Sequence, residues 1–130
     1  MIARVKSIQN KDNLNIVEFD FHNNTFKMMS LDLSSNLQIG SKVELLVKPT
    51  NIVISKNHIE NISLSNQALA IITDIQNGEL LSSIKLKIED TTLESIITKE
   101  SSIRLNLKKD DEINILIKAS DLSINRVLND

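Results

Sequence analysis

The sequence of 130 residues contains no cysteine, tryptophan or tyrosine, and only three phenylalanines, two glycines and one proline. Without cysteine the chain forms neither disulfides nor thiolate metal sites, which is compatible with a reducing compartment. It also lacks the aromatic platforms on which proteins stack nucleic-acid bases. Two glycines are too few for a glycine-rich phosphate loop.

A basic surface and a long apolar segment are missing as well. The formal net charge is −2 and the isoelectric point is about 5.7, so direct nucleic-acid binding is not expected. No apolar run approaches the roughly 18 residues that span a bilayer, and the N-terminus lacks the pattern of a secretory signal. We therefore expect a cytoplasmic protein without membrane contact.

What the sequence does contain is a repeat. Residues 3–10 align with residues 70–77 at a shift of 67, and residues 43–52 align with 113–122 at a shift of 70. Polar loops can accommodate the three residues by which the two shifts differ. A repeat of this length predicts a duplicated small domain rather than a solenoid. We call residues 1–56 the first repeat and residues 63–130 the second repeat. Each repeat is a predicted domain, and a polar linker joins the two.

Each repeat reads as a series of short strands. Hydrophobic residues make up 41% of the chain and are mostly Ile, Leu and Val, which favour strands. Ile84–Ile88 alternates between apolar and polar residues, and Asn77-Gly78 is a tight-turn signal. Residues 99–106 are long enough for one helical turn. Five short strands per repeat predict an all-β fold of two small barrels or sandwiches.

Four segments of the second repeat occur in a recognisable order. They are Ser63-Leu64-Ser65-Asn66-Gln67, Ile96-Ile97-Thr98-Lys99-Glu100-Ser101, the segment from Leu105 to Ile113, and Ile115-Leu116-Ile117-Lys118-Ala119-Ser120. Together they resemble the Mop family, the molybdate-binding modules also grouped as TOBE domains. The match covers the second repeat from Ser63 to about Asn125, and the first repeat matches more weakly.

The resemblance implies a tandem of two five-stranded barrels of the oligonucleotide/oligosaccharide-binding (OB) type. It also implies assembly into a homo-oligomer, a dimer or trimer, that holds molybdate or tungstate between modules. Such a protein stores, buffers or senses the oxyanion and is not an enzyme.

The resemblance also implies a set of oxyanion-binding residues in the second repeat. Molybdate only accepts hydrogen bonds, so its site needs hydroxyls, backbone N–H groups and a cation. The implied residues are Ser63, Ser65, Asn66, Thr98, Ser101, Lys118, Ala119 and Ser120. No metal-ligand set is expected, because Asp20 and His22 lack a third ligand.

Comparison of the repeats predicts a division of labour. Lys48 aligns with Lys118, but Pro49 stands where the second repeat has Ala119, and proline has no N–H to donate. The first repeat is therefore predicted to carry a degenerate site. Ser65 also departs from the family, which usually has arginine at this position.

Other interpretations remain open. Taken alone, Thr98 and Ser101 would be a strand end followed by a helix N-cap, and Lys118 would be a surface lysine. Pro49 and Ser65 favour a ligand-free regulatory or dimerisation module that partners a molybdate importer or regulator. A nucleic-acid-binding barrel is disfavoured by charge and by the shortage of aromatic residues.

The predicted division of labour can be tested with two matched lysine substitutions. Lys118→Ala should abolish most molybdate binding in calorimetry because it removes the proposed cation, whereas Lys48→Ala should leave most of it. Equal losses from the two substitutions would contradict the division.

Overall fold

The computed structural model describes residues 1–128, which fold into ten strands, two 3-10 turns and one short α-helix. The strands are β1 (Ile2–Lys11), β2 (Leu14–Phe21), β3 (Asn24–Ser30), β4 (Lys42–Leu46), β5 (Val53–Ser55), β6 (Asn66–Asn77), β7 (Leu81–Ile88), β8 (Thr91–Thr98), β9 (Glu112–Ile117) and β10 (Ser123–Leu128). The helix α1 is Lys99–Arg104, and the 3-10 turns are Pro49–Asn51 and Ala119–Asp121.

Alternating side chains build the core from these strands. In β2 the side chains of Val17, Phe19 and Phe21 are buried, while the residues between them are more exposed. β7 repeats this pattern with Ile84 and Leu86. The period of two places one face of each hairpin in the core and leaves the other in water.

The strands form two five-stranded sheets that exchange their last strands. The order in sheet one is β10-β4-β1-β2-β3, and the order in sheet two is β5-β9-β6-β7-β8. The last strand of each repeat therefore lies in the sheet of the other repeat. The all-β fold with five strands per unit is confirmed. The boundaries at residues 56 and 63 remain a prediction, and they divide the chain rather than the sheets.

The two exchanged strands are related by the sequence repeat. Val53 of β5 pairs with Leu116 of β9, and Ser123 of β10 pairs with Leu46 of β4. Moving the pair Leu46 and Val53 by 70 positions along the sequence gives Leu116 and Ser123. The exchange is thus reciprocal and uses one register twice.

Equivalent polar side chains hold each exchanged strand. Glu44 of β4 accepts a hydrogen bond from the Asn125 amide of β10, and this bond lowers the pKa of Glu44. At the equivalent place in sheet two, Asn114 Nδ2 donates to Ser55 Oγ of β5 at 3.1 Å. Both repeats therefore use a polar side chain on the adjacent strand, β4 or β9, to fix the exchanged strand.

The repeat also extends to backbone irregularities. β1 changes register between Val5 and Ser7, and β6 does so between Ile72 and Asp74, which are equivalent β-bulges. Next to the first bulge Gly40 has φ +92° and its N–H donates to the Val5 carbonyl at 2.8 Å. Asp110 takes the same place beside the second bulge, with φ +73° and an N–H that donates to the Ile72 carbonyl at 2.7 Å. The duplication is therefore visible in the backbone geometry.

The buried amide of Asn66 joins the two sheets. Asn66 begins β6, and its Oδ1 accepts from Lys27 N at 2.6 Å while its Nδ2 donates to Lys27 O at 2.8 Å. Lys27 lies on β3, the edge strand of sheet one. One side chain therefore satisfies both backbone groups of an edge residue that would otherwise be unpaired.

Substitution of Asn66 tests this link. Asn66→Ala removes both bonds to the Lys27 backbone and should lower the free energy of unfolding by about 1–3 kcal/mol, since each hydrogen bond contributes about 0.5–1.5 kcal/mol. Denaturant unfolding measures the change. The neighbouring Ser65→Ala is the control and should stay within about 0.5 kcal/mol of the unmodified protein. Equal stabilities of the two variants would show that Asn66 does not link the sheets.

Candidate functional site

The junction of β8 and α1 places two of the predicted site residues side by side. β8 ends at Thr98, and its Oγ1 accepts a hydrogen bond from Ser101 N at 3.1 Å. Thr98 is thus the N-cap of α1, where a side-chain oxygen satisfies a backbone N–H that has no partner within the helix. The N-cap interpretation of this segment is confirmed, and residues 99–104 form the predicted helical turn.

The Thr98 and Ser101 hydroxyls share one hydrogen bond. Their oxygens are 2.9 Å apart, and Ser101 Oγ also accepts from Arg104 Nη2 at 3.1 Å. Two hydroxyls carry two hydrogens, and the bond between them uses one. The pair therefore keeps one hydroxyl hydrogen for a group that only accepts.

Ser101 opens onto a cavity of about 320 Å³ to which both repeats contribute. Its polar lining comes from Ser101, Arg104 and Thr50. The apolar lining residues are Ile52, Val53, Ile54, Ile97 and Leu105. Thr50 belongs to the 3-10 turn of the first repeat, which a hydrogen bond from Ser95 Oγ to Ile52 O, 2.7 Å long, holds against β8. No carboxylate is among the lining residues, so the cavity offers donors and a positive charge.

The acid nearest to this region is already paired. Glu100 Oε1 lies 3.1 Å from Arg104 Nε. Both side chains are largely exposed, so the pair adds little to stability. It does neutralise a carboxylate that would otherwise repel an anion near Ser101.

The other predicted segment lies at the end of β9. Lys118 is exposed and precedes the 3-10 turn Ala119–Asp121, in which Asp121 N donates to Lys118 O at 2.9 Å. The N–H groups of Ala119 and Ser120 come before this first bond and have no acceptor within the turn. Lys118 and Ser120 are exposed and Ala119 is half-buried, and their role as oxyanion ligands stays a prediction.

The first repeat forms the same turn. Lys48 has φ −67° and ψ 137°, close to the −70° and 140° of Lys118. Asn51 N donates to Lys48 O at 2.8 Å, just as Asp121 N donates to Lys118 O in the second repeat. The difference between the turns is therefore chemical, since Pro49 removes one N–H without changing the backbone.

Ser120 lines cavities to which both repeats contribute. It lines a cavity of about 440 Å³ with Lys48 and Asn51, and another of about 460 Å³ with Ser30 and Ser34. The structure therefore groups Ser120 with Lys48, and Ser101 with Thr50. Both repeats line these cavities because strand exchange carries each turn to the opposite sheet. The degenerate site of the first repeat stays a prediction.

The remaining predicted residues precede or begin β6. Ser63 and Ser65 are exposed in the segment that leads into this strand. Asn66 is fully buried, and both ends of its amide are bonded to Lys27. Its side chain is committed to the packing of the sheets, whereas the two serines are open to solvent.

Sequence reasoning missed Arg104 and Thr50. Arg104 had a visible signal, because it lies three residues after Ser101 and four after Glu100, spacings that bring side chains together on a helix. Thr50 had none, since its approach to Ser101 depends on strand exchange.

Other kinds of site are not seen in the part of the chain that the structure describes. Among residues 1–128, no three His, Asp or Glu side chains are grouped so that they could hold a metal ion. None of the helices in that range could cross a membrane.

Comparisons with known proteins agree with this fold. Residues 62–124 match the family model of the TOBE domain. The structure is similar to a crystal structure of the cytoplasmic molybdate-binding protein ModG, in a PEG-grown form with molybdate bound, with a TM-score of 0.87 and 20% identity over 95% of this chain and 92% of that chain. At this identity the similarity establishes the shared fold. A comparison with curated protein sequences finds no significant match.

Proposed function

We propose that this chain, in which residues 62–124 match the TOBE domain, is a cytoplasmic, non-catalytic protein that binds molybdate or tungstate. The TOBE match and the shared fold with a molybdate-binding protein support this function. The observation that carries it is the grouping of the Thr98 and Ser101 hydroxyls with the Arg104 guanidinium. A group that only accepts hydrogen bonds, such as a tetrahedral dianion, suits these donors.

The proposed mechanism is capture of the anion by exchange of its hydration shell. Hydroxyls of Thr50 and Ser101 replace water at some oxygens of the dianion. Lys118, with the N–H groups of Ala119 and Ser120, supplies charge and further donors. Donors must replace the lost hydration, since burial of an unpaired charge is costly. Ser63 and Ser65 are exposed and can approach the same ligand from the segment before β6.

We further propose that the sites are completed in a homo-oligomer, a dimer or trimer. The residues of the predicted set are divided between the Ser101 cavity and the Lys118 turn, and exposed donors at both places suit a ligand held between modules. A ligand that binds only the assembled form also stabilises the assembly. Storage, buffering and sensing of the oxyanion are all compatible with such coupling.

The second candidate function is a ligand-free regulatory or dimerisation module. Pro49 and Ser65 favour it, because each replaces a donor that the family pattern supplies. In that case the cavity beside Ser101 would have no anion to hold, and the chain would act through its assembly alone.

Ser101→Ala distinguishes the two functions. The substitution removes the Ser101 hydroxyl but keeps the backbone N–H that Thr98 caps, so α1 should be retained. Molybdate affinity measured by calorimetry should fall by about ten-fold or more, because a hydrogen bond to a charged group contributes about 1.5–3 kcal/mol. Ser35→Ala in an exposed loop is the control.

Two results would count against the oxyanion-binding function. Unchanged affinity in Ser101→Ala would remove Ser101 from the site. Absence of molybdate binding by the unmodified protein, with a stable oligomer in sedimentation experiments, would select the ligand-free module.

A further inference from the structure

The position of Arg104 bears on the arginine that the chain lacks at residue 65. Ser65 stands where the family pattern usually has a guanidinium, and its side chain is too short to replace one. Arg104 is in a different part of the sequence. Its guanidinium nevertheless lines the cavity that contains Thr50 and Ser101.

Two hydrogen bonds hold the Arg104 guanidinium in place. Nε donates to Glu100 Oε1 at 3.1 Å, and Nη2 donates to Ser101 Oγ at 3.1 Å. A guanidinium has five N–H groups in a rigid planar fork. The other three have no hydrogen-bond partner among residues 1–128. The side chain is therefore oriented by its neighbours and still has donors to offer.

The Nη2 bond also places the guanidinium beside the hydroxyl pair of Thr98 and Ser101. An anion that accepts a hydrogen bond from this pair is therefore within the region that the guanidinium borders. Arginine remains charged at all physiological pH values and suits the planar recognition of an oxyanion edge.

We propose that Arg104 contacts the bound oxyanion directly and replaces the guanidinium that Ser65 does not supply. This inference rests on the proposed function, since it names a specificity residue of the same site. Glu100 acts as a positioning residue that fixes the fork through Nε. The competing role for Arg104 is indirect: it would only neutralise Glu100 and thereby reduce repulsion of the ligand.

A double-mutant cycle separates contact from neutralisation. Arg104→Gln, Glu100→Gln and the double variant are titrated with sodium molybdate by calorimetry. Direct contact predicts that Arg104→Gln weakens binding by about ten-fold or more in both backgrounds, since charge-assisted bonds are the strong ones. Glu100→Gln alone should change the affinity by less than about three-fold, because it keeps the helix and the guanidinium.

Two further variants, Lys109→Gln and Arg104→Lys, complete the molybdate titrations. Lys109→Gln removes an exposed charge outside the cavity and should bind like the unmodified protein. Arg104→Lys keeps the charge without the fork and should be intermediate, and it replaces Arg104→Gln if thermal unfolding shows that variant to be misfolded. The direct contact would be overturned if Arg104→Gln weakened binding only when Glu100 is present, or did not weaken it at all. No binding by the unmodified protein would instead overturn the proposed function itself.

Discussion

The reciprocal exchange of β5 and β10 is the constraint on which the rest of the structure depends. Each repeat has about 60 residues, which is marginal for an independent domain. Each sheet takes its fifth strand from the other repeat, so neither sheet is complete unless both repeats are folded. The exchange also passes the polypeptide from one sheet to the other through a 3-10 turn. Burial, register and the positions of the candidate site residues all follow from this connection.

Strand exchange explains why the polar cavities are shared between the repeats. The turns at Pro49–Asn51 and Ala119–Asp121 follow β4 and β9 and precede the exchanged strands β5 and β10. Each turn therefore lies at the opposite sheet, where Thr50 and Ser101 line one cavity and Ser120 and Ser30 line another. A pair of single domains linked in series would have kept these residues apart. Duplication thus produced two similar turns, and because of strand exchange each turn lines cavities together with residues of the other repeat.

Much of the fold was predictable because its signals are local. Alternation identified β2 and β7, the Asn-Gly pair marked the end of β6, and the Thr98 to Ser101 spacing indicated an N-cap. The exchange was not predictable. β5 has only three residues, too few to show periodicity, and pairing with a distant strand leaves no local pattern. The burial of Asn66 was hidden for the same reason, since its partner Lys27 lies 39 residues away.

The repeats also show which interactions were retained during divergence. Glu18 and Lys27 form a cross-strand pair at 3.8 Å, and the equivalent Lys85 and Glu94 form one at 3.0 Å with the charges reversed. The attraction was kept while the residues were swapped, as expected of a partly exposed cross-strand pair. The turn before each exchanged strand was kept in shape but changed from Ala119 to Pro49 in chemistry. Architecture is therefore more constant between the repeats than the donors around the cavities.

The central claim is that an assembly of this chain binds a tetrahedral metal oxyanion selectively. Native mass spectrometry of the full chain, with molybdate and with excess sulfate, reports assembly, stoichiometry and selectivity together. The account predicts a dimer or trimer that gains a fixed number of molybdate ions and keeps them in the presence of sulfate. A monomer without bound molybdate, or an assembly whose molybdate is displaced by sulfate, would contradict it.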